Sequence, residues 1–198
     1  MPTINDIKSN FMTSLNECRG LFNYCLSSQE PHTNAGIEAA FLQLFRSWEV
    51  FLEEFLLCYL CGEQPLNGQS INPYFTVRDF EVARGILYQE RPYCEWTNVE
   101  ILIRRFTYFF ALPNRVDDAL RPVVVELKEI TKIRNVIAHS SSIAHESFTN
   151  MWRSKIGGNP SIRRAADFLI AVDSANPPST FFDKYANVLE VTAESIVG

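Results

Sequence analysis

A chain of 198 residues, 46% of them hydrophobic and 15 of them phenylalanine, is too apolar to be intrinsically disordered and long enough to fold as one domain, 1–198, with a full core. The formal charge of −5, from 18 basic and 23 acidic side chains, argues against a protein that coats nucleic acid generally. The most apolar stretch, 41–60, is interrupted by Arg46, Glu49, Glu53 and Glu54, and the opening Met-Pro-Thr-Ile-Asn-Asp lacks the basic-then-apolar pattern of a signal peptide. No contact with a membrane and a cytoplasmic location are therefore expected.

The first helix is expected over 5–27, where Ile7, Phe11, Leu15, Cys18, Phe22 and Cys25 recur at helical spacing before Pro31 interrupts the pattern. A second follows over 33–61, with the stripe Phe41, Leu44, Phe45, Trp48, Phe51, Leu52, Phe55 and Tyr59. Cys58 and Cys61 near its end form a C-x-x-C. With no second pair and no preceding strand, that spacing suits core packing better than redox or zinc chemistry. The other cysteines, Cys18, Cys25 and Cys94, bring the count to five, which gives no disulfide framework in a chain of this size.

Gly62, Pro65, Gly68 and Pro73 mark a loop over 62–74. Thr76 is a candidate cap for a helix over 76–89, and Thr97 for another over 97–111. A long helix begins at Asn114 or Arg115 and reaches Ser140, with Pro122 inside it as a kink or late start. Shorter helices are expected over 144–155 and 160–172, the latter with Asn159 as cap and Pro160 at its first position, and a last one over 179–197. No alternating segment is long enough to predict a strand. The expected class is all-α: an up-and-down helical bundle with additional C-terminal helices.

Charge is uneven along this series. Residues 1–99 carry 6 basic and 12 acidic side chains, 100–164 carry 11 and 6, and 165–198 carry 1 and 5. The basic middle is either a phosphate-attracting patch or a set of solvated helix faces. The same two readings apply to its pairs Arg104–Arg105 and Arg163–Arg164.

The long helix in that middle carries the chemistry. Its apolar stripe, Val116, Leu120, Val123, Leu127 and Ile130, next reaches Arg134. An arginine there either faces a site or is paired or drawn out to water. Asn135 and His139 are four apart, so the amide can orient the imidazole. Arg134 and His139 are about 140° apart around a helix, too far to stack, although both can reach one cleft. His32 and His145 lack such neighbours and read as structural or exposed. No convincing His/Cys/Asp/Glu cluster suggests a metal site, and no Gly-rich loop suggests a bound nucleotide.

The run Ile-Arg-Asn-Val-Ile-Ala-His-Ser, residues 133–140, resembles the R-x(4–6)-H signature of the HEPN superfamily in its R-N-x-x-x-H form. The earlier segment around Ser47-Trp48-Glu49 is similar to the second helix of HEPN families from bacterial toxin and phage-defence loci, including the RiboL-PSP-HEPN type. The resemblance spans roughly 38–198. It implies a homodimer with a composite site and an endoribonuclease that needs no cofactor or metal. His139 would be general acid or base, Arg134 the phosphate ligand, and Asn135 an orienting or phosphate-binding group. It further implies cleavage by 2′-OH attack, leaving 2′,3′-cyclic phosphate and 5′-OH ends, in a toxin or antiviral effector with an antitoxin or regulatory partner. Glu49 would face the motif and pair with Arg134, or else pair with Arg46 on the surface. Arg104, Arg105, Arg163 and Arg164 would contribute to the RNA-binding surface. The alternatives are an inactive HEPN interaction and dimerisation module and a nucleotide-binding regulator.

Overall fold

Thr3 opens the first helix with a reciprocal cap. Its hydroxyl accepts from the Asp6 amide at 3.2 Å, and its own amide donates to the Asp6 carboxylate at 2.8 Å. The computed structural model describes residues 2–28, 31–67, 70–88, 96–139, 141–157, 164–174 and 178–198. Among them α1 (Ile4–Ser27) buries the expected stripe from Ile7 to Cys25. It packs along α2 (Thr33–Leu60), where Gly36 lets the backbones close in, since a Cβ there would collide with Cys25 Sγ. From Phe55 to Leu60 every residue of α2 is buried, which makes this end the centre of the bundle.

The remaining helices pack along the length of α2, from Glu38, which accepts from the Ala166 amide, to Tyr59. α9 (Phe181–Val197) stacks Phe182 on Phe22 at 4.1 Å and accepts the Tyr59 hydroxyl on the Ile196 carbonyl at 3.3 Å. α8 (Ala165–Ile170) places Phe168 against Phe181, Trp152 and Phe148, which joins α7 (Ser142–Lys155) to the core. The buried side chains form one cluster running from Ile4 to Val197. The class is all-α, as expected, and no helix among the described residues is long and apolar enough to cross a membrane.

Several boundaries move, each for a local physical reason. α3 starts at Phe80, not at Thr76 (Phe80–Tyr88), because the Val77 amide donates to the Leu60 carbonyl at 2.9 Å and holds that stretch to the end of α2. The Asp79 carboxylate then accepts from the Val82 amide at 3.0 Å. α4 (Val99–Phe109) is capped by Asn98, which accepts from the Glu100 and Ile101 amides. Thr97 lies outside it, its carbonyl taken by the Thr131 hydroxyl at 2.8 Å. The long helix is two: α5 (Arg115–Leu120), a 3₁₀ turn (Arg121–Val123) and α6 (Val124–Ala138). Pro122 has no amide to donate and its ring crowds the carbonyl four residues back, so the chain re-enters the helix only after Val123. α7 begins two residues earlier than expected because the Ser141 hydroxyl accepts from the Ala144 amide at 3.2 Å.

The helix expected over 160–172 is shorter. It ends at Ile170, and Val172 lies in a two-residue strand, β1 (Val172–Asp173), antiparallel to β2 (Ser179–Thr180). The last helix accordingly starts at Phe181, with Thr180 as its cap. Asn159 and Pro160 lie outside the described residues, as does Cys94.

The C-x-x-C pair sits in the core wall. Cys58 is fully buried and its Sγ donates to the Pro2 carbonyl at 3.4 Å, whereas Cys61 is half-buried. Burial pushes the Cys58 thiol up to about 12 and the Cys18 thiol up to about 11. Both therefore remain thiols at neutral pH and lack the nucleophilic thiolate. Brief iodoacetamide treatment of the native protein is expected to leave Cys18 and Cys58 unlabelled in peptide mass spectra, with full labelling in urea. Labelling of Cys58 in the native state would contradict its placement.

Candidate active site

The motif occupies the end of α6. Leu127, Ile130 and Ile133 point into the core, so the stripe continues through Ile133 and not through Arg134, as the sequence suggested. Arg134 falls on the shoulder of the stripe, half-buried, with its guanidinium 6.0 Å from the centroid of the Phe45 ring on α2. Asn135 beside it is half-buried and His139 is exposed.

The helix stops at Ala138, and that changes the geometry. The His139 amide still donates to the Asn135 carbonyl at 2.9 Å, but φ −134° and ψ 129° make His139 extended. The imidazole is no longer carried around the helix to 140° from Arg134. Its Nε2 lies 3.0 Å from Arg134 Nη1. The sequence placed the two too far apart to stack but able to reach one cleft; here they meet directly, and the reason is the Ser141 cap: a chain starting a new helix at Ser142 must leave the old one before it.

A guanidinium has only N–H donors, so as a hydrogen bond this contact requires Nε2 to be the acceptor, which the Nδ1–H tautomer provides. The same Nη1 donates to Asn135 Oδ1 at 3.2 Å, so Asn135 orients the arginine and not the imidazole. The other guanidinium N–H groups have no protein acceptor among the described residues, leaving a planar face of donors suited to a phosphate or carboxylate.

Two adjoining cavities flank the motif. One, of about 300 Å³, is lined by Asn135, His139, Ser141, Ala144, Ser147 and Lys132. The other, of about 350 Å³, lies between α6 and the start of α4 and is lined by Asn98, Glu100, Lys128, Thr131, Lys132 and Asn135. A larger groove of about 540 Å³ runs between α1 and α2 past Arg46 and Glu54. Among the described residues no histidine lines it.

α6 is anchored from below by a buried carboxylate. Glu129 is 6% exposed, accepts the Tyr185 hydroxyl from α9 at 3.0 Å and pairs with Lys155 of α7 at 2.7 Å. Burial, with the Glu129 charge next, pushes the Tyr185 phenol strongly up, so it stays a donor. These bonds fix α6 against α7, which lines the first cavity, and against α9.

The other predicted residues are placed as follows. Glu49 is half-buried on α2, one turn beyond the Phe45 ring that supports Arg134. Arg46 is exposed, lines the α1–α2 groove and forms no ion pair among the described residues, so the surface pair Glu49–Arg46 is absent. Arg104 is exposed, Arg105 lies 5.4 Å from the Trp96 ring centroid, and Arg164 is exposed at the start of α8. None of these three lines either cavity beside the motif, and Arg163 lies outside the described residues. Sequence reasoning missed Lys132 and Glu129. Lys132 could have been found from its spacing, three residues before Asn135 and seven before His139 on the same helix face. Among the described residues no three His, Cys, Asp or Glu side chains are grouped to hold a metal ion.

No protein-family model, curated protein or solved structure matches this chain.

Proposed function

We propose that the protein is a metal-independent endoribonuclease of the HEPN type, acting in the cytoplasm as a toxin or antiviral-defence effector. The observation that carries this reading is the 3.0 Å contact between Arg134 Nη1 and His139 Nε2 at the mouth of an open cavity. RNA brings its own nucleophile, so a base, an acid and a phosphate ligand are sufficient. A substrate phosphate draws the guanidinium onto its non-bridging oxygens. His139 Nε2, freed of Arg134, takes the proton of the 2′-OH. The 2′ oxygen bonds to phosphorus, the bond from phosphorus to the 5′ oxygen breaks, and that oxygen receives a proton. In a homodimer that brings two motifs to one composite groove, the second imidazole, carrying protons on both ring nitrogens, supplies it and is left neutral as the first becomes charged. An antitoxin or regulatory partner that covers this groove would hold the enzyme silent.

The Arg134–His139 contact also favours a second reading. An inactive interaction module or nucleotide-binding regulator would keep these side chains satisfied by each other. The exposure of His139 speaks against it, since a pair kept only for structure has no need of an open face.

The test is a matched pair of oligonucleotides in EDTA, one RNA and one with deoxyribose throughout. The endoribonuclease cleaves the first and leaves the second intact. Equal cleavage of both would exclude 2′-OH attack, and cleavage of neither by folded, dimeric protein would favour the interaction module.

A further inference from the structure

Lys132 is the cation that ties the two cavities beside the motif together. It lines both, and among the described residues the only other one shared by both is Asn135. It is half-buried and forms no hydrogen bond or ion pair among the described residues. Its neighbour one turn back, Lys128, is paired with Glu100 at 2.5 Å, so that end of the second cavity carries no net charge. A cation partly withdrawn from water with no counter-charge is costly unless an anion visits it. The remaining walls mix hydroxyl and amide side chains, Thr131, Asn98, Ser141 and Ser147, with the apolar Ile143, Ala144 and Val99.

We infer that Lys132 binds the phosphate next to the scissile one, and that the substrate is single-stranded RNA of at least three nucleotides laid from His139 across Lys132 toward the start of α4. The inference rests on the endoribonuclease reading of the motif. Arg134 serves the phosphate that reacts, and Lys132, two residues earlier on another side of α6 but lining the same cavity as His139, serves its neighbour. Each cavity has the size of a small-ligand site, so the strand enters one nucleotide at a time. An unstacked strand meets that requirement and an A-form duplex, read by its shape across a wide groove, does not. The Lys128–Glu100 pair at the far end leaves no free cation there, among the described residues, for a further phosphate.

The experiment measures anisotropy of end-labelled, 2′-O-methylated hexanucleotide and dinucleotide of mixed sequence in EDTA over a range of salt. The proteins are the full chain and its Lys132→Gln, Lys132→Arg and Arg134→Ala variants. Lys132→Gln is expected to weaken hexanucleotide binding about five- to tenfold and to lower the slope of log affinity on log salt by about 0.7, the value for one phosphate on a single strand. The loss is several times larger for the hexanucleotide than for the dinucleotide, and Lys132→Arg restores most of it. A merely structural lysine would not change the salt slope. Equal losses on both probes would put Lys132 on the scissile phosphate and overturn the subsite. Unchanged hexanucleotide binding in Lys132→Gln alongside weakened binding in Arg134→Ala would remove Lys132 and leave the ribonuclease reading standing. Failure of the wild type to bind either probe would overturn both.

Discussion

His139→Ala is expected to cleave RNA about 10²–10⁴-fold more slowly than the wild type, the range for loss of a general acid or base. Arg134→Ala is expected to lose about 10²–10³-fold, as for removal of one preorganised donor from charge developing in the transition state. The double variant should lose little more than the worse single one, because the two groups act as a unit on one phosphate. Arg134→Lys is informative beside them. Lysine keeps the charge but not the planar fork that can stay on Asn135 Oδ1 while turning from His139 Nε2 to two phosphate oxygens, so most of the activity should still be lost. Neither side chain is part of the core, so thermal melts of these variants should stay within a few degrees of the wild type. Near-wild-type cleavage by His139→Ala would sink the assignment whatever the arginine does.

Lys155→Met is expected to cost about 2–4 kcal/mol, because it leaves the buried Glu129 carboxyl group with only the Tyr185 hydroxyl as partner among the described residues. The figure lies below that of a fully buried pair because the Lys155 side chain keeps 27% of its exposure. For a chain of this length the melting temperature should fall by on the order of 10 °C. Adding Glu129→Gln to Lys155→Met should recover part of the loss, since the amide needs no cation and its oxygen still accepts from Tyr185. Melting of Lys155→Met within a degree or two of the wild type would show that Lys155 does not hold the carboxylate, and α6 would need another anchor.

The parts of the fold that were legible in the sequence are those set by local periodicity. The stripes of α1 and α2 stood at 3.6-residue spacing, and Pro122 announced a break that the backbone makes. Helix starts were less legible wherever a tertiary hydrogen bond competes with a local cap. Val77 is held by Leu60, and Thr97 gives its carbonyl to Thr131, so Asp79 and Asn98 do the capping one to three residues later.

The motif was visible as residues but not as geometry. Carrying α6 to Ser140 put His139 on the wrong side of Arg134, and the extended conformation of a single residue brings them together. The anchor of α6 left no local trace at all. Tyr185 is 56 residues from Glu129, and no pattern in a helix says that a carboxylate on its buried side has a hydroxyl and an ammonium waiting.

The most direct measurement is incubation of total cellular RNA with the purified wild type and with His139→Ala in EDTA, followed by analysis of the new 3′ ends. The account predicts fragments ending in 2′,3′-cyclic phosphate from the wild type and almost none from the variant. Intact RNA with both proteins, each folded and dimeric, or fragments ending in 3′-OH, would contradict it.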